Sequence, residues 1–279
     1  MIRIKNLKFG YSRKNPVLDG IDLSLGAGAI TGLLGKNGVG KTTLLKLIAG
    51  ALRPDGGEVS VLGHSPEKRS VDFLSQIYLL PEEMPEMHLT IDKYMKINAP
   101  FYPRFSEDEF RSFLAELEIA DTAVSMSKLS LGNRKKVFIA FALATNARLI
   151  LMDEPTNGLD IPSKTVLRKL LRIKADDDRL ILISTHQVRD LQNILDTVVI
   201  LDNTKVLLNA DTDAITRQLF FGISDGGENP DDVLYSAPSV AGTQIVRVNG
   251  KDEESDVDVE LLFNAAFNAK QKIKELFNK

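Results

Sequence analysis

The sequence predicts an α/β fold with a parallel central sheet. Three short apolar runs, Leu149 to Met152, Leu180 to Ile183 and Val198 to Leu201, each give way to polar or turn residues and are spaced by helix-like stretches. Such runs read as strands buried on both faces, the situation in a parallel sheet covered by helices. Near the N-terminus, the apolar stretch Ile30 to Leu34 breaks into Gly35-Lys36-Asn37-Gly38-Val39-Gly40-Lys41-Thr42. Leucines at helical spacing follow from Thr43 to Ala49, and Gly50 stands where that helix should stop.

The remaining elements follow in order. Ile2 and Ile4, then Ile21, Leu23 and Leu25, alternate with polar residues as strands with one buried face do. From Pro81 to about Asn146 the pattern turns helical. Ser106, three residues ahead of Glu109 and just before Phe110, Phe113, Leu114 and Leu117, reads as a capping box. After Ala210 the character changes. Gly222 to Asp231, with Gly226-Gly227 and Pro230, reads as a linker, and Gln244 to Val248 as a strand. Asp252 to Glu260, with six acids and no base, reads as a solvated turn and strand, and Ala265 to Phe277 as one amphipathic helix. The chain thus divides into a main unit, residues 1–210, with a helical subdomain at about 82–145, and a small α/β extension, residues 211–279. No internal repeat or long low-complexity tract interrupts it.

Composition narrows the function classes. The 279 residues carry 35 Lys+Arg against 38 Asp+Glu, a formal charge of −3, and are 43% hydrophobic and 26% charged. That is an ordinary globular balance, which excludes a disordered or collagen-like chain. Near-neutrality argues against a dedicated nucleic-acid binder, so no nucleic acid is expected as a partner. There are no cysteines, so disulfides, thiolate metal sites and Cys nucleophiles are excluded. The longest apolar run, Val137 to Ala144, has eight residues, against about 20 for a membrane-spanning helix. Met1 to Lys5 lacks the apolar stretch of a secretory signal. A cytoplasmic protein is expected, serving any membrane only through a partner.

Gly35-x4-Gly40-Lys41-Thr42 matches the phosphate-binding pattern G-x-x-x-x-G-K-[ST], placed between strand and helix. Glycines let backbone N–H groups converge on phosphate oxygens, and the helix start adds its positive dipole end. Lys41 should reach the β- and γ-phosphates, and the Thr42 hydroxyl should ligate Mg²⁺. Asp153 and Glu154 stand at the C-terminal end of a buried strand, where α/β sheets place ligand chemistry. Asp153 can hold Mg²⁺, and Glu154 can act on an attacking water. Lys41 and Asp153 alone would equally suit a kinase or GTPase.

A third element separates those possibilities: Leu129-Ser130-Leu131-Gly132-Asn133-Arg134-Lys135-Lys136. Together with Asp153-Glu154-Pro155-Thr156-Asn157-Gly158-Leu159-Asp160 and Ser184-Thr185-His186, it resembles the ATP-binding cassette (ABC) family over about residues 1–210. The resemblance implies a P-loop NTPase fold of the ABC ATPase type. It also implies that Gly35 to Thr43 grips one ATP while Ser130 and Gly132 cap the γ-phosphate of ATP held by another cassette. Two cassettes, identical or paralogous, would then close head to tail over two ATP molecules. His186 corresponds to the family's switch histidine, Asp160 to the acid that crosses the dimer seam, and Tyr11 to the aromatic that stacks on adenine.

Two departures stand out. Leu131 and Asn133 replace glycine and glutamine of the usual Leu-Ser-Gly-Gly-Gln, and Glu82 replaces the glutamine expected after Tyr78-Leu79-Leu80-Pro81, where it can meet Mg²⁺. Both resemble the ABC-2 export branch, as does Phe101-Tyr102-Pro103-Arg104-Phe105. Met84, Met87 and Leu89 follow, where cassettes of this family receive a helix of a membrane subunit; gap-filling in the helical subdomain is the alternative. His64 and His88 lack metal-ligand spacing and are expected at the surface. The implied function is an ATPase subunit working with separate transmembrane permease subunits, peripheral on the cytoplasmic face. A soluble cassette ATPase not coupled to transport is the alternative, and a non-hydrolysing nucleotide sensor is disfavoured by Glu154 and His186.

Overall fold

A computed structural model describes residues 1–12, 15–224, 226–250 and 253–277. The chain begins with β1 (Ile2–Phe9), β2 (Leu18–Leu25), β3 (Ala29–Leu34), α1 (Lys41–Ile48) and β4 (Gly56–Val61). The short α2 (Val71–Leu74) and β5 (Ile77–Leu80) lead to three helices, α3 (Ile91–Asn98), α4 (Glu107–Glu116) and α5 (Leu131–Ala144). Then come β6 (Leu149–Asp153), α6 (Ile161–Lys174), β7 (Leu180–Thr185), β8 (Thr197–Asp202) and β9 (Lys205–Asp211). The C-terminal part holds α7 (Thr212–Gln218), β10 (Leu219–Ile223), β11 (Val233–Ser239), β12 (Gly242–Val248), α8 (Val259–Asn268) and α9 (Lys270–Phe277).

The central sheet has the order β5-β6-β7-β3-β8-β9, parallel except for the β8–β9 pair. Its strands alternate between two apolar cores. Leu33, Leu149, Leu151, Leu180, Leu182 and Val199 face the core shared with β1, β2 and α1. Ile30, Leu34, Ile150, Met152, Ile181 and Ile183 face the core shared with α5 and α6. Both faces are covered, which is why these strands read as unbroken apolar runs. β1 sits between β2 and β4 in a separate antiparallel sheet. Gly50 adopts φ +68° just beyond α1, the left-handed helix stop its position predicts.

Five expectations need correction. The capping box is half made: Ser106 Oγ accepts from the Glu109 N–H at 3.2 Å, but the two Glu109 carboxylate oxygens each accept from Lys174 Nζ, at 3.0 Å, and one of them also from Asn146 Nδ2. The buried Lys174 ammonium takes this carboxylate, and the helix end keeps the Ser106 cap alone. The linker begins later than expected, because Gly222 and Ile223 complete β10 against Ile245 and Gln244. The single C-terminal helix is two, broken at Ala269 (φ −121°, ψ +48°), since α8 packs on β11 and β12 while α9 turns onto β9. His64 is half-buried, its ring 6.0 Å from that of Phe73; His88 is exposed as expected. Asp252, at the head of the acidic run, and Asp225, inside the expected linker, lie outside the described residues. The rest of that run contains no strand: Asp258 caps α8, accepting from the N–H groups of Glu260 and Leu261.

The helical subdomain is tied to the sheet by aromatic rings. Phe141 of α5 is fully buried, with ring centroids of Tyr94 at 5.0 Å, Phe105 at 5.1 Å, Tyr78 at 5.8 Å and Phe110 at 5.9 Å. Burial pushes the phenols of Tyr78 and Tyr94 up in pKa, and each hydroxyl finds its partner in the other at 3.4 Å. Phe141→Ala removes the common member of this cluster. It should lower the unfolding free energy by about 3–5 kcal/mol, read from a shift of the urea midpoint.

Candidate functional site

Parallel strands end at the same edge of a sheet, so the loops after β3, β6 and β7 meet. The loop after β3 carries Gly38 at φ +79° and Gly40 at φ +105°, and α1 opens immediately at Lys41. Its first-turn N–H groups and dipole face the cleft beside it, the arrangement that holds an anion. Lys41 is buried, its Nζ donating to the carbonyls of Gly35 at 2.8 Å and Lys36 at 3.3 Å. Burial lowers its pKa, while Glu154, Asp153 and Glu82 pull the other way. The nearest of these oxygens, Glu154 Oε1, lies 3.9 Å from the ammonium.

Asp153, the last residue of β6, is buried and accepts a hydrogen bond from Ser184 Oγ of β7. The N–H of Glu154 donates to the Ser184 carbonyl at 3.0 Å. Glu154 adopts φ +46° directly before Pro155, a costly conformation for a residue with a Cβ. Its carboxylate is held from both sides of one residue: His186 Nδ1 lies 2.8 Å from Oε1, and the His186 N–H donates to Oε2 at 3.3 Å. With Glu154 ionised, Nδ1 must carry the hydrogen. Glu82 follows β5, and its Oε1 accepts from Asn157 Nδ2 at 3.1 Å. Asn157 in turn accepts from Gln187 Nε2 at 3.2 Å.

Of the residues expected from the sequence, Tyr11, Asn37, Gly38, Gly40, Lys41, Thr42, Thr43, Glu82, Glu154 and His186 line one cleft of about 530 Å³. Tyr11 is 65% exposed at its rim, standing edge-on against Phe9, with its hydroxyl 3.4 Å from Thr43 Oγ1. Gly35, Lys36 and Val39 build the loop rather than line the cleft. Asp153 lies beneath the cleft. Ser130, Gly132 and Asp160 do not line it. Ser130 caps α5, accepting from the Asn133 N–H at 3.1 Å, and is exposed. A Cβ on Gly132 would come within 2.8 Å of the Gly158 carbonyl, so the first turn of α5 packs closely on the loop after β6. Asp160 caps α6, accepting from the Ser163 N–H at 2.9 Å; hydrogen bonding from the Ser163 side chain first, and from that N–H second, lowers its pKa.

Residue patterns alone did not disclose four participants. Lys135 is buried and donates to the carbonyls of Glu154 and Asn157; a lysine in a basic run gives no sign of burial. Asn157 and Gln187 join the loops after β5, β6 and β7. Phe267 of α8 carries its ring 4.8 Å from Lys36 Nζ, so the extension touches the loop after β3.

Comparison with known proteins places this geometry. Residues 18–157 match the family described as ABC transporter. The chain belongs to that family. It is an ATP-binding subunit that hydrolyses ATP. The putative ABC transporter ATP-binding protein AlbC of Bacillus subtilis is 33% identical over 215 residues, covering 74% of this chain and 90% of that one. The SkfA peptide export ATP-binding protein SkfE of the same organism is 30% identical over 213 residues, covering 74% and 87%. A solved ATP-binding subunit of an ABC transporter superposes with a TM-score of 0.71 at 28% identity, covering 78% of this chain and 92% of that one.

The ABC ATPase loop depends on backbone that only glycine tolerates. At Gly40 a Cβ would meet Leu18 and Val17, each at 3.0 Å, on top of φ +105°. Gly40→Ala should destabilise the chain by about 1–2 kcal/mol and weaken ATP binding by at least about tenfold, because strained N–H groups no longer converge. Titration with a fluorescent ATP analogue and thermal melting measure the two effects.

Proposed function

We propose that this chain is the ATPase subunit of a membrane exporter, working as a head-to-tail dimer beneath separate transmembrane subunits on the cytoplasmic face. The observation that carries the reading is the pair Glu154–His186, held at 2.8 Å beside Lys41 in one cleft. The cleft fits a nucleoside triphosphate. N–H groups of the loop and α1 would receive the phosphates, Lys41 would exchange its two carbonyls for phosphate oxygens, and Tyr11 would stack on the adenine. Thr42, the buried carboxylate of Asp153 and Glu82 are hard oxygen donors of the kind Mg²⁺ takes, and the bound ion would offset the charge of the triphosphate. Glu154 accepts the proton of the attacking water as its oxygen bonds to the γ-phosphorus and the bond to the ADP oxygen breaks. His186 keeps that carboxylate aimed.

The dimer is supported by what one chain leaves unused. The Ser130 cap and Gly132 open the N-terminus of α5 away from the chain's own cleft, and Leu131 beside them is 73% exposed. A second cassette's γ-phosphate suits that helix end. Export is supported by the relatives' names, one of which is a peptide export protein. The membrane partner is supported by a groove of about 750 Å³ between α2, β5 and the segment after α3, lined by Val71, Leu74, Ile77, Leu79, Phe101 and Pro103. Val71 and Phe101 are large apolar residues left exposed there, as a docked helix would require. Met84 and Met87 are partly buried against the apolar core shared with α5 and α6. Among the described residues no helix is long and apolar enough to cross a membrane.

Glu154→Gln should bind ATP as the native chain does but turn it over at least about 100-fold more slowly. Equal phosphate release from both proteins would exclude Glu154 as the base. Phe101→Glu should leave ATP binding unchanged yet release the chain from membranes containing its permease, measured by flotation.

A further inference from the structure

We propose that Lys135 is a positioning residue for hydrolysis, clamping the loop that carries Glu154 to the helix that opens at Ser130. The inference rests on Glu154 being the base. Lys135 lies one turn into α5 and is 5% exposed. Its Nζ donates to the Glu154 carbonyl at 2.9 Å and the Asn157 carbonyl at 3.0 Å. Among the described residues no carboxylate lies within ion-pair distance of it. A buried ammonium is expensive even when hydrogen-bonded, and a neutral helix residue would fill the position more cheaply if only packing mattered.

What the ammonium holds is the strained part of the site. Glu154, at φ +46° before a proline, has its N–H bound by the Ser184 carbonyl at 3.0 Å. Its own carbonyl receives Lys135 and, at 3.2 Å, the N–H of Asn157. The peptide groups on both sides of Glu154 are thereby fixed, and with them the direction of the carboxylate. The second carbonyl, that of Asn157, belongs to the residue whose side chain bridges Glu82 and Gln187. One ammonium therefore closes the loop on itself and registers it against the loops after β5 and β7. Because Lys135 rides on the helix capped by Ser130, displacement of that helix end is transmitted to Glu154 through two hydrogen bonds.

The test compares Lys135→Met, Lys135→Arg and Glu154→Gln in the full chain with Mg²⁺ and ATP. Lys135→Met should lower kcat about 10- to 100-fold, as small misplacements of catalytic groups do, while KM and the affinity for a fluorescent ATP analogue stay within about threefold. Lys135→Arg, which keeps donors for both carbonyls, should recover most of the loss. In the Glu154→Gln background Lys135→Met should add less than about twofold, since both act on one step. Circular dichroism reports folding; if Lys135→Met does not fold, Lys135→Gln, uncharged and one bond too short to span both carbonyls, is read in its place. Native kcat in the folded variant, or loss of ATP affinity in step with turnover, overturns the proposal. If Glu154→Gln itself keeps its turnover, the assignment of the base fails first.

Discussion

The parallel pairing of β6, β7 and β3 is the constraint on which the site depends. Leu34 lies opposite Thr185, and Asp153 opposite Ser184, so the phosphate loop, the acidic pair and His186 leave the sheet at one edge. Apolar alternation alone does not secure that register. Both faces of these strands are apolar, and a slip by one residue would exchange one set of leucines and isoleucines for another. The polar ends discriminate: Ser184 Oγ reaches Asp153, and the Ser184 carbonyl takes the Glu154 N–H. A slipped strand would leave that buried carboxylate and that N–H without partners, which costs more than repacking an aliphatic side chain.

The same edge shows how charge is managed. Lys41 and Lys135 are both buried, and each is hydrogen-bonded to two backbone carbonyls rather than to a carboxylate. Carbonyl dipoles stabilise an ammonium without neutralising it. Burial lowers the pKa of both lysines, and for both the attraction of Glu82, Asp153 and Glu154 acts against that shift. The cleft therefore holds cation and anion side by side without consuming either. A ligand that brings both phosphates and a divalent ion can engage both sets.

Much of this was legible from the residues. The loop from Gly35 to Thr42 and the acids after Leu149 to Met152 announce themselves, because their chemistry demands glycine at fixed offsets and carboxylates at a strand end. The two-faced burial of the central strands was readable for the same reason: it removes alternation. What escaped depends on long-range partners. Glu109 looked like a capping residue until Lys174, 65 positions away, took its carboxylate. Ala265 to Phe277 looked like one helix because periodicity persists across Ala269, whereas tertiary packing of α8 and α9 on different strands decides the break. Lys135 sits among Arg134 and Lys136, a pattern that gives no sign of burial, and only the loop folded over it reveals the clamp.

The extension after Ala210 is not a separate body hung on the cassette. Ile215, Leu219, Leu234, Val246, Leu262 and Ile273 are buried in the same core as the α5 and β6 residues. Its polar contacts fall on functional neighbours. Glu260 pairs with Arg189, three residues beyond His186, and Lys270 pairs at 2.6 Å with Asp202, which closes β8 beside the phosphate loop. Phe267 then meets Lys36 within that loop. An exposed ion pair contributes little to stability, so these contacts are weak individually, and the shared apolar core does the holding. Their placement sets α8 and α9 beside the loop before Lys41 and the segment after His186, so the extension closes over the sheet end that carries the cleft.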